Sequence, residues 1–204
     1  GWDQPRCPLT VRAPMREDGT AGAALAPGEV GELCFEGPQL FLGYLHDPEA
    51  TRRAVSTDGV LYTGDLGAYT REGGLRLSGR ARLVVKPKGY QVFPGDVEEH
   101  ILRALPGRAA AAAIVGAEHA VYSEGIVAFV EAAPGADLTA DEVAGACGDI
   151  ASYARPGHVE VLPQGGIPLN RVAKTDYLAL RERAAAIVER LRAEGRWDAR
   201  RTRA

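Results

Sequence analysis

The chain has 204 residues, of which 46% are hydrophobic and 25% are charged, and its formal net charge is −3. This balance is typical of a globular protein with one ordinary domain or two small ones. The small net charge gives no global field for nucleic acid or an anionic membrane surface. The longest apolar run, Ala109 to Val115, is far shorter than the roughly 20 residues of a membrane span, and the N-terminus lacks a signal-peptide pattern. We therefore expect a cytoplasmic protein.

The spacing of cysteine and histidine predicts neither a disulfide framework nor a metal site. The three cysteines, Cys7, Cys34 and Cys147, are odd in number and show no CxxC or Cys/His spacing. The four histidines show no metal-ligand spacing either. The basic C-terminal end, Arg196 to Arg203, is interpreted as a solvated terminus rather than a nucleic-acid contact.

The first part of the chain, residues 1–81, is predicted to be rich in β-structure. Its short apolar runs are broken by glycine, proline and aspartate, a pattern typical of strands and turns. The predicted strands are Leu9–Arg12, Gly31–Phe35, Val60–Thr63, Gly67–Thr70 and Leu75–Ser78. Arg71–Gly74 is interpreted as a hairpin turn, and a short helix is predicted after Asp47. Gly64 permits a tight turn before Asp65.

From Arg82 onward the pattern changes, and residues 82–204 are predicted to form a small α+β domain. Apolar residues recur at helical spacing after Pro94, and Asp96 places an acid in the first turn. The other predicted elements are the strands Ala111–Val115, Ile126–Glu131 and His158–Leu162, and the helices Thr139–Ile150 and Thr175–Ala193. This alternation predicts helices that cover a sheet. The predicted fold class is therefore α+β, with a small β-rich subdomain followed by an α+β domain.

Three motifs carry residues suited to nucleotide chemistry. Asp65 ends the segment YTGD and supplies an acid suited to ribose hydroxyls, and Arg80 in the segment SGR suits ribose or phosphate. Residues 86–94 read KPKGYQVFP, which is a basic loop that contains glycine. Lys174 follows the segment PLNRVA and could meet a phosphate. Taken singly, these residues have ordinary structural interpretations: a turn, an ion pair, lysines that protect a strand edge, and a surface lysine at a helix start.

Together and in this order, the three motifs resemble the second half of the adenylate-forming superfamily of acyl-CoA synthetases, plant aryl-CoA ligases and firefly luciferase. The resemblance covers about residues 28–183. It implies that Asp65 holds the ribose hydroxyls of ATP and that Arg80 shares the nucleotide contact. It also implies that Arg82 is a hinge about which residues 82–204 move as a lid domain. From the sequence alone, a surface arginine beside a strand is an equal interpretation of Arg82.

Within the lid domain, the resemblance assigns different residues to two half-reactions. Lys174 would bridge the acyl carboxylate and the α-phosphate of ATP during adenylation, although Ala173 stands where glycine is usual. The residues assigned to the second half-reaction are Lys86 and Gln91. The residues assigned to the tunnel for a pantetheine thiol are Gly89, Lys88 and Tyr90.

The implied function is the C-terminal part of an AMP-forming acid–thiol ligase, which forms an acyl-adenylate and then a thioester to coenzyme A. ATP, Mg²⁺ and coenzyme A or phosphopantetheine are the implied cofactors, and the Mg²⁺ ligands are expected mostly outside this chain. The sequence lacks the phosphate loop and the acid pocket that the superfamily places upstream. The expected partner is therefore an N-terminal adenylation body, and we expect the 204 residues to be inactive alone.

Several alternatives remain open at this stage. The chain is either a fragment of a larger synthetase, which we favour, or a split subunit that a second chain completes. The acceptor thiol belongs to coenzyme A or to a phosphopantetheinyl carrier protein, because both deliver the same arm. A third interpretation is a non-catalytic, lid-like interaction module. The carboxylic acid substrate is not readable from this sequence.

Overall fold

A computed structural model describes residues 8–198, so Cys7 and the residues after Asp198 lie outside the described residues. The chain divides into two compact units, Gly1–Arg82 and Leu83–Ala204. Among the described residues, no helix is both long and apolar enough to cross a membrane. The mixed architecture of two sheets and four α-helices confirms the predicted α+β class.

The first unit contains one antiparallel sheet of four strands in the order β1-β2-β3-β4. The strands are β1 (Leu9–Arg12), β2 (Gly31–Glu36), β3 (Val60–Tyr69) and β4 (Leu75–Arg80). A short helix, α1 (Pro48–Ala54), begins after Asp47, whose side chain accepts a hydrogen bond from the backbone N–H of Ala50. Aspartate at the N-cap followed by proline is a favoured helix start, as the sequence predicted.

The prediction of a tight turn at Gly64 is wrong, because β3 runs without interruption through Gly64 and Asp65. Gly64 has a positive φ of 76°, and its backbone N–H donates to the carboxylate of Glu32 at 2.7 Å. The pairing of β3 with β2 shifts register between Tyr62 and Leu66, and its pairing with β4 shifts register between Leu66 and Gly67. The glycine therefore produces an irregularity within a strand rather than a chain reversal, and Asp65 stays within the sheet.

The second unit contains a sheet of three strands in the order β5-β6-β7. Its elements are α2 (Pro94–Ala104), β5 (Ala109–His119), β6 (Ser123–Ala132), α3 (Ala140–Ala146), β7 (His158–Leu162) and α4 (Tyr177–Ala193). Strand β6 is antiparallel to β5 and parallel to β7. Thr139 and Glu142 form a capping box at the start of α3. This helix ends before the predicted Ile150, since glycines at 145 and 148 disfavour its continuation.

Side chains along β5 and β6 alternate between the two faces of the second sheet. Both sets pack in a hydrophobic core, so both faces are buried. One face packs against α2 and α3, and the other packs against α4. The core on the α2 and α3 side includes Ile114, Ile126, Ala128, Val130, Val97, Ile101 and Val143. The core on the α4 side includes Val115, Val127, Phe129, Leu180, Ala184, Ile187 and Trp197. A Cβ added at Gly125 would lie 2.6 Å from the Trp197 ring, so glycine is required where this ring meets β6.

The two described cysteines are buried free thiols, Cys34 in β2 and Cys147 after α3. Burial raises the pKa of the Cys34 thiol to about 12. Both side chains therefore contribute apolar packing rather than thiolate chemistry.

Candidate functional site

Asp65 and Arg80 form an ion pair on the surface of the first sheet. The two residues lie directly opposite each other on β3 and β4, and Arg80 Nε is 2.9 Å from Asp65 Oδ1. Both side chains keep about half of their surface exposed, 41% for Asp65 and 53% for Arg80. The carboxylate can therefore accept hydrogen bonds from hydroxyl groups while the guanidinium offers further donors to an anion. The structure brings together the two residues that the sequence assigns to the nucleotide.

Two neighbouring side chains hold the backbone that carries Asp65. The Thr63 hydroxyl donates to the carbonyl of Leu33 at 2.8 Å and accepts the N–H of Asp65 at 3.1 Å. The half-buried Glu32 carboxylate accepts the N–H of Gly64. Burial raises the pKa of Glu32, the Gly64 hydrogen bond opposes this shift, and the negative charge of Asp65 adds to it. Sequence analysis did not identify this role, and its only local signal is an acid that precedes the apolar residues 33–35 of β2.

The basic loop of residues 86–91 is a tight turn at the surface of the second unit. Pro87–Gly89 form one short 3-10 turn, and a bridge between Val85 and Val92 closes its base. Lys88 and Gly89 both have positive φ, 55° and 82° respectively. A Cβ at Gly89 would meet nothing within 4 Å, so this glycine serves backbone conformation and open access rather than packing. The exposed residues of this loop are Lys86, Lys88, Gly89, Tyr90 and Gln91.

Three contacts with the β5–β6 turn and the start of β6 fix this loop. The backbone N–H of Lys86 donates to the carboxylate of Glu124. The backbone N–H of Lys88 donates to the carbonyl of Tyr122 at 2.9 Å, and the ammonium of Lys88 lies 4.2 Å from the centre of the Tyr122 ring. This last geometry is a cation–π interaction. The backbone is therefore held on both sides of Pro87 while the side chain of Lys86 stays exposed.

A cleft with a cavity volume of about 140 Å³ adjoins the basic loop. Its aromatic walls are Tyr122, Tyr153 and Trp197, and its cationic groups are Lys88, Arg155 and Arg196. Tyr90 stacks on Tyr153 with ring centres 4.2 Å apart. Lys88 and His119 contact the Tyr122 ring, and Trp197 is buried, so the rings serve mainly as walls. The cationic groups, which share the cleft with the carboxylate of Glu124, suit an anionic ligand group.

Lys174 lies in a second tight loop, which leads directly into α4. Leu169 and Thr175 pair across the loop, and the N–H of Asn170 donates to the carbonyl of Lys174 at 2.7 Å. The side-chain oxygen of Asn170 accepts from the N–H groups of Val172 and Lys174 at 3.0 and 3.1 Å. The backbone of Lys174 is thus fixed at two atoms while its side chain is exposed.

Ala173 occupies a left-handed conformation with a φ of 55°. The superfamily pattern has glycine at this position, and the structure shows why: a Cβ is disfavoured at positive φ. The alanine is accommodated here because the two Asn170 hydrogen bonds on either side enforce the turn.

Replacing Ala173 with glycine is expected to stabilise the second unit by about 1 kcal/mol, because it removes the Cβ penalty of a left-handed residue. Urea unfolding followed by Trp197 fluorescence, with Trp2 replaced by phenylalanine, measures this change. As a matched control, Ala186→Gly in the exposed middle of α4 is expected to destabilise by about 1 kcal/mol. Destabilisation of similar size by both variants would contradict the assigned strain at Ala173.

The candidate residues of the second unit lie on two separate loops. The loop of Lys86 leads into α2, and the loop of Lys174 leads into α4. Helices α2 and α4 cover opposite faces of one sheet, so the loops of Lys86 and Lys174 lead into helices on different sides of the unit. The sequence has three lysines, Lys86, Lys88 and Lys174, and all three lie in these two loops. The rest of its 24 lysine and arginine residues are arginines. The exposed Arg82 lies in a short helical turn, Ala81–Leu83.

Two acids near the Lys174 loop, the partly buried Glu98 and the buried Glu131, were not identified by the sequence analysis. Glu98 Oε1 accepts the N–H of Ile114 at 2.9 Å and the hydroxyl of Tyr177 at 3.1 Å. Glu131 accepts the N–H groups of Gly165 and Ile167 at 3.1 and 2.7 Å. Burial raises the pKa of Glu98, and its two hydrogen bonds lower it in part. Among residues 8–198, no group of three or more histidine, cysteine or acidic side chains is arranged to hold a metal ion.

The raised pKa of Glu98 predicts a specific dependence of stability on pH. The folded state holds the Glu98 proton to a higher pH than the unfolded state, whose carboxyl titrates near the usual 4.5. The stability of wild type relative to Glu98→Gln should therefore be highest below about pH 4.5 and should fall as pH rises through the raised pKa. Urea unfolding of both proteins from about pH 4 to about pH 8 tests the sign. A difference that grows with pH would contradict the assignment.

Comparison with known proteins gives consistent matches. Residues 97–174 match the AMP-binding enzyme C-terminal domain. The 4-coumarate–CoA ligase 4 of Arabidopsis thaliana is 40% identical over 126 residues, which are 62% of this chain and 22% of the relative. ATP-bound MatB from Rhodopseudomonas palustris superposes with a TM-score of 0.79 and 30% identity over 90% of this chain and 35% of that chain. The o-succinylbenzoate CoA synthetase MenE from Bacillus subtilis, in complex with its acyl-adenylate intermediate, gives a TM-score of 0.69 and 26% identity over 83% and 32%.

The chain thus spans about a fifth of the length of the curated relatives it matches and about a third of the solved structures. The fold, the order of the three motifs and these matches agree on one region of one superfamily. The chain is similar in fold, and over residues 97–174 also in sequence, to the C-terminal portion of adenylate-forming enzymes.

Proposed function

We propose that the chain is the C-terminal part of an AMP-forming ligase that joins a carboxylic acid to coenzyme A through an acyl-adenylate. The observation that carries this proposal is the pair of exposed lysines, Lys86 and Lys174, on two separately anchored loops of one small unit. The names of the relatives support it, since they include 4-coumarate–CoA ligases and a CoA synthetase bound to an acyl-adenylate.

In the first step, a carboxylate oxygen attacks the α-phosphorus of ATP. A carbon–oxygen–phosphorus anhydride forms, the bond to the β-phosphate breaks, and pyrophosphate leaves. Asp65 and Arg80 orient the ribose, and Lys174 neutralises charge between the acyl carboxylate and the α-phosphate. A lysine suits this role because its ammonium is a compact point charge on a flexible stem, whereas arginine offers a planar fork.

In the second step, the thiol sulfur attacks the acyl carbon. A carbon–sulfur bond forms, the carbon–oxygen bond to AMP breaks, and the thiol proton passes to solvent. Lys86 and Gln91 serve this step, and Gly89 with its neighbours Lys88 and Tyr90 gives the thiol arm a path close to the backbone. Exchange of the two faces requires that the second unit turn about Arg82.

The aromatic and cationic cleft beside the basic loop favours coenzyme A over a carrier protein as thiol donor. Coenzyme A ends in a polyphosphorylated nucleotide, whose negative charges match the cationic Lys88 and Arg155. A phosphopantetheinyl carrier protein delivers the same arm without that nucleotide. The two donors therefore differ in their need for the cleft.

The proposed partner is an N-terminal adenylation body, either in the same polypeptide or in a second chain. The exposed apolar side chains Phe41, Leu42, Tyr44 and Leu45 form a surface that such a body would cover. Mg²⁺ enters this proposal from the resemblance alone. Its ligands are assigned outside this chain, and no step above depends on it.

Lys174→Ala is expected to lower adenylation by about 100-fold or more and to leave thioester formation from supplied acyl-adenylate nearly unchanged. Lys86→Ala is expected to show the reverse. The chain joined to its N-terminal body is assayed by ATP–pyrophosphate exchange and by CoA-dependent release of AMP, with a panel of carboxylic acids that includes 4-coumarate. Arg171→Ala removes a charge from the same loop and serves as the matched control.

Equal loss of both half-reactions in both lysine variants would contradict this division of labour. Absence of exchange in the complete assembly, for every acid, would favour the non-catalytic interaction module.

Coenzyme A is expected to exceed pantetheine by at least about tenfold in kcat/KM for thioester formation, because contacts with its nucleotide add binding energy. Lys88→Met should narrow this ratio, since it removes the charge over Tyr122. Arg171→Ala, outside the cleft, should leave the ratio unchanged. Equal use of pantetheine, or preference for a phosphopantetheinyl carrier protein, would favour the carrier-loading alternative.

A further inference from the structure

Glu98, Ile114 and Tyr177 meet at the outer edge of the second sheet. Strand β5 is an edge strand, because only β6 pairs with it in the described sheet. The N–H of Ile114 on this strand donates to Glu98 of α2, and the hydroxyl of Tyr177 donates to the same carboxylate oxygen. Tyr177 is the first residue of α4. One partly buried acid thus links the sheet edge to the start of the helix that follows Lys174.

The loop of Lys174 and the first turn of α4 form one connected unit. The N–H of Asp176 donates to the carbonyl of Pro168 at 2.8 Å, which closes the base of the loop. The Asp176 side chain accepts from the N–H groups of Leu178 and Ala179, both at 3.1 Å, and so caps α4. A shift of the first turn of α4 therefore shifts the backbone of Lys174.

Apolar packing alone gives this first turn little support. Leu178 is 70% exposed, and the first fully buried side chain of α4 is Leu180. The ring of Tyr177 packs at the margin of the core on the α4 side. The hydrogen bond from the Tyr177 hydroxyl to Glu98 adds a directional contact to the sheet edge, three residues before that first buried side chain.

We infer that Glu98 and Tyr177 are positioning residues that set the place of Lys174 for the adenylation step. This inference rests on the proposed function of Lys174. Taking a carboxylate out of water is costly unless it is hydrogen-bonded, and the two donors of the partly buried Glu98 come from the sheet and from α4. Glu131 holds the preceding segment through Gly165 and Ile167, so the lysine loop is fixed to the sheet on both sides.

Tyr177→Phe in the chain joined to its N-terminal body tests the inference, because phenylalanine keeps the ring and removes only the hydroxyl. We expect kcat for ATP–pyrophosphate exchange to fall about tenfold, as a displaced catalytic group requires. Thioester formation from supplied acyl-adenylate should change less than about twofold. Tyr69→Phe is the matched control, since its hydroxyl donates to the carbonyl of Leu9 at 2.6 Å in the first unit.

A second measurement on the 204-residue chain does not depend on activity. Native-state hydrogen exchange of the Val172 and Lys174 amides, which both donate to Asn170, should accelerate about tenfold in Tyr177→Phe, in line with the loss of one hydrogen bond. Amides in the β5–β6 ladder should be unchanged.

Equal loss of both half-reactions in Tyr177→Phe would overturn the inference. Unchanged hydrogen exchange of the Val172 and Lys174 amides in this variant would also overturn it. Absence of pyrophosphate exchange in wild type would instead count against the proposed function, and hydrogen exchange would still decide whether Glu98 and Tyr177 position the loop.

Discussion

Each candidate motif depends on hydrogen bonds to a glutamate carboxylate, most of them donated by backbone N–H groups. Glu32 holds Gly64 beside Asp65, and Glu124 holds Lys86 in the basic loop. Glu131 holds the segment before Lys174, and Glu98 joins the sheet edge to the helix after it. A carboxylate is a stronger acceptor than a neutral carbonyl, so one side chain can fix backbone that has no strand neighbour at that point. The burial of Glu131 is tolerated because two N–H donors satisfy its carboxylate.

This anchoring explains how exposed catalytic candidates keep a defined position. The side chains of Lys86 and Lys174 extend from the surface, yet the backbone of each is tied to a fixed acceptor. The tight turns beside them place Lys88 and Ala173 at positive φ, where residues other than glycine are disfavoured. Strain of this kind persists only where surrounding contacts enforce it, and it concentrates at functional loops.

The architecture of the second unit separates the two lysine loops. A three-stranded sheet that is buried on both faces needs a helix on each side, and each lysine loop leads into one of these helices. The unit therefore presents the basic loop and the Lys174 loop, each with its own anchoring hydrogen bonds, from one core. In the proposed ligase, this arrangement lets one lid serve two half-reactions without rebuilding either loop. In the same proposal, the cleft beside the basic loop receives the nucleotide of coenzyme A.

The sequence by itself determined the α+β class, most strands and helices, and the choice of candidate site residues. Local signals are sufficient for these features, because strand alternation, helix caps and the segment KPKGYQVFP are short-range patterns. The tertiary structure decided that β3 continues through Gly64, since the acid that holds this glycine, Glu32, is distant in sequence. It also decided the pairing of Glu98 with Tyr177, which are 79 positions apart. Such contacts depend on how the helices and strands pack, and no local pattern encodes which distant donor meets a buried carboxylate.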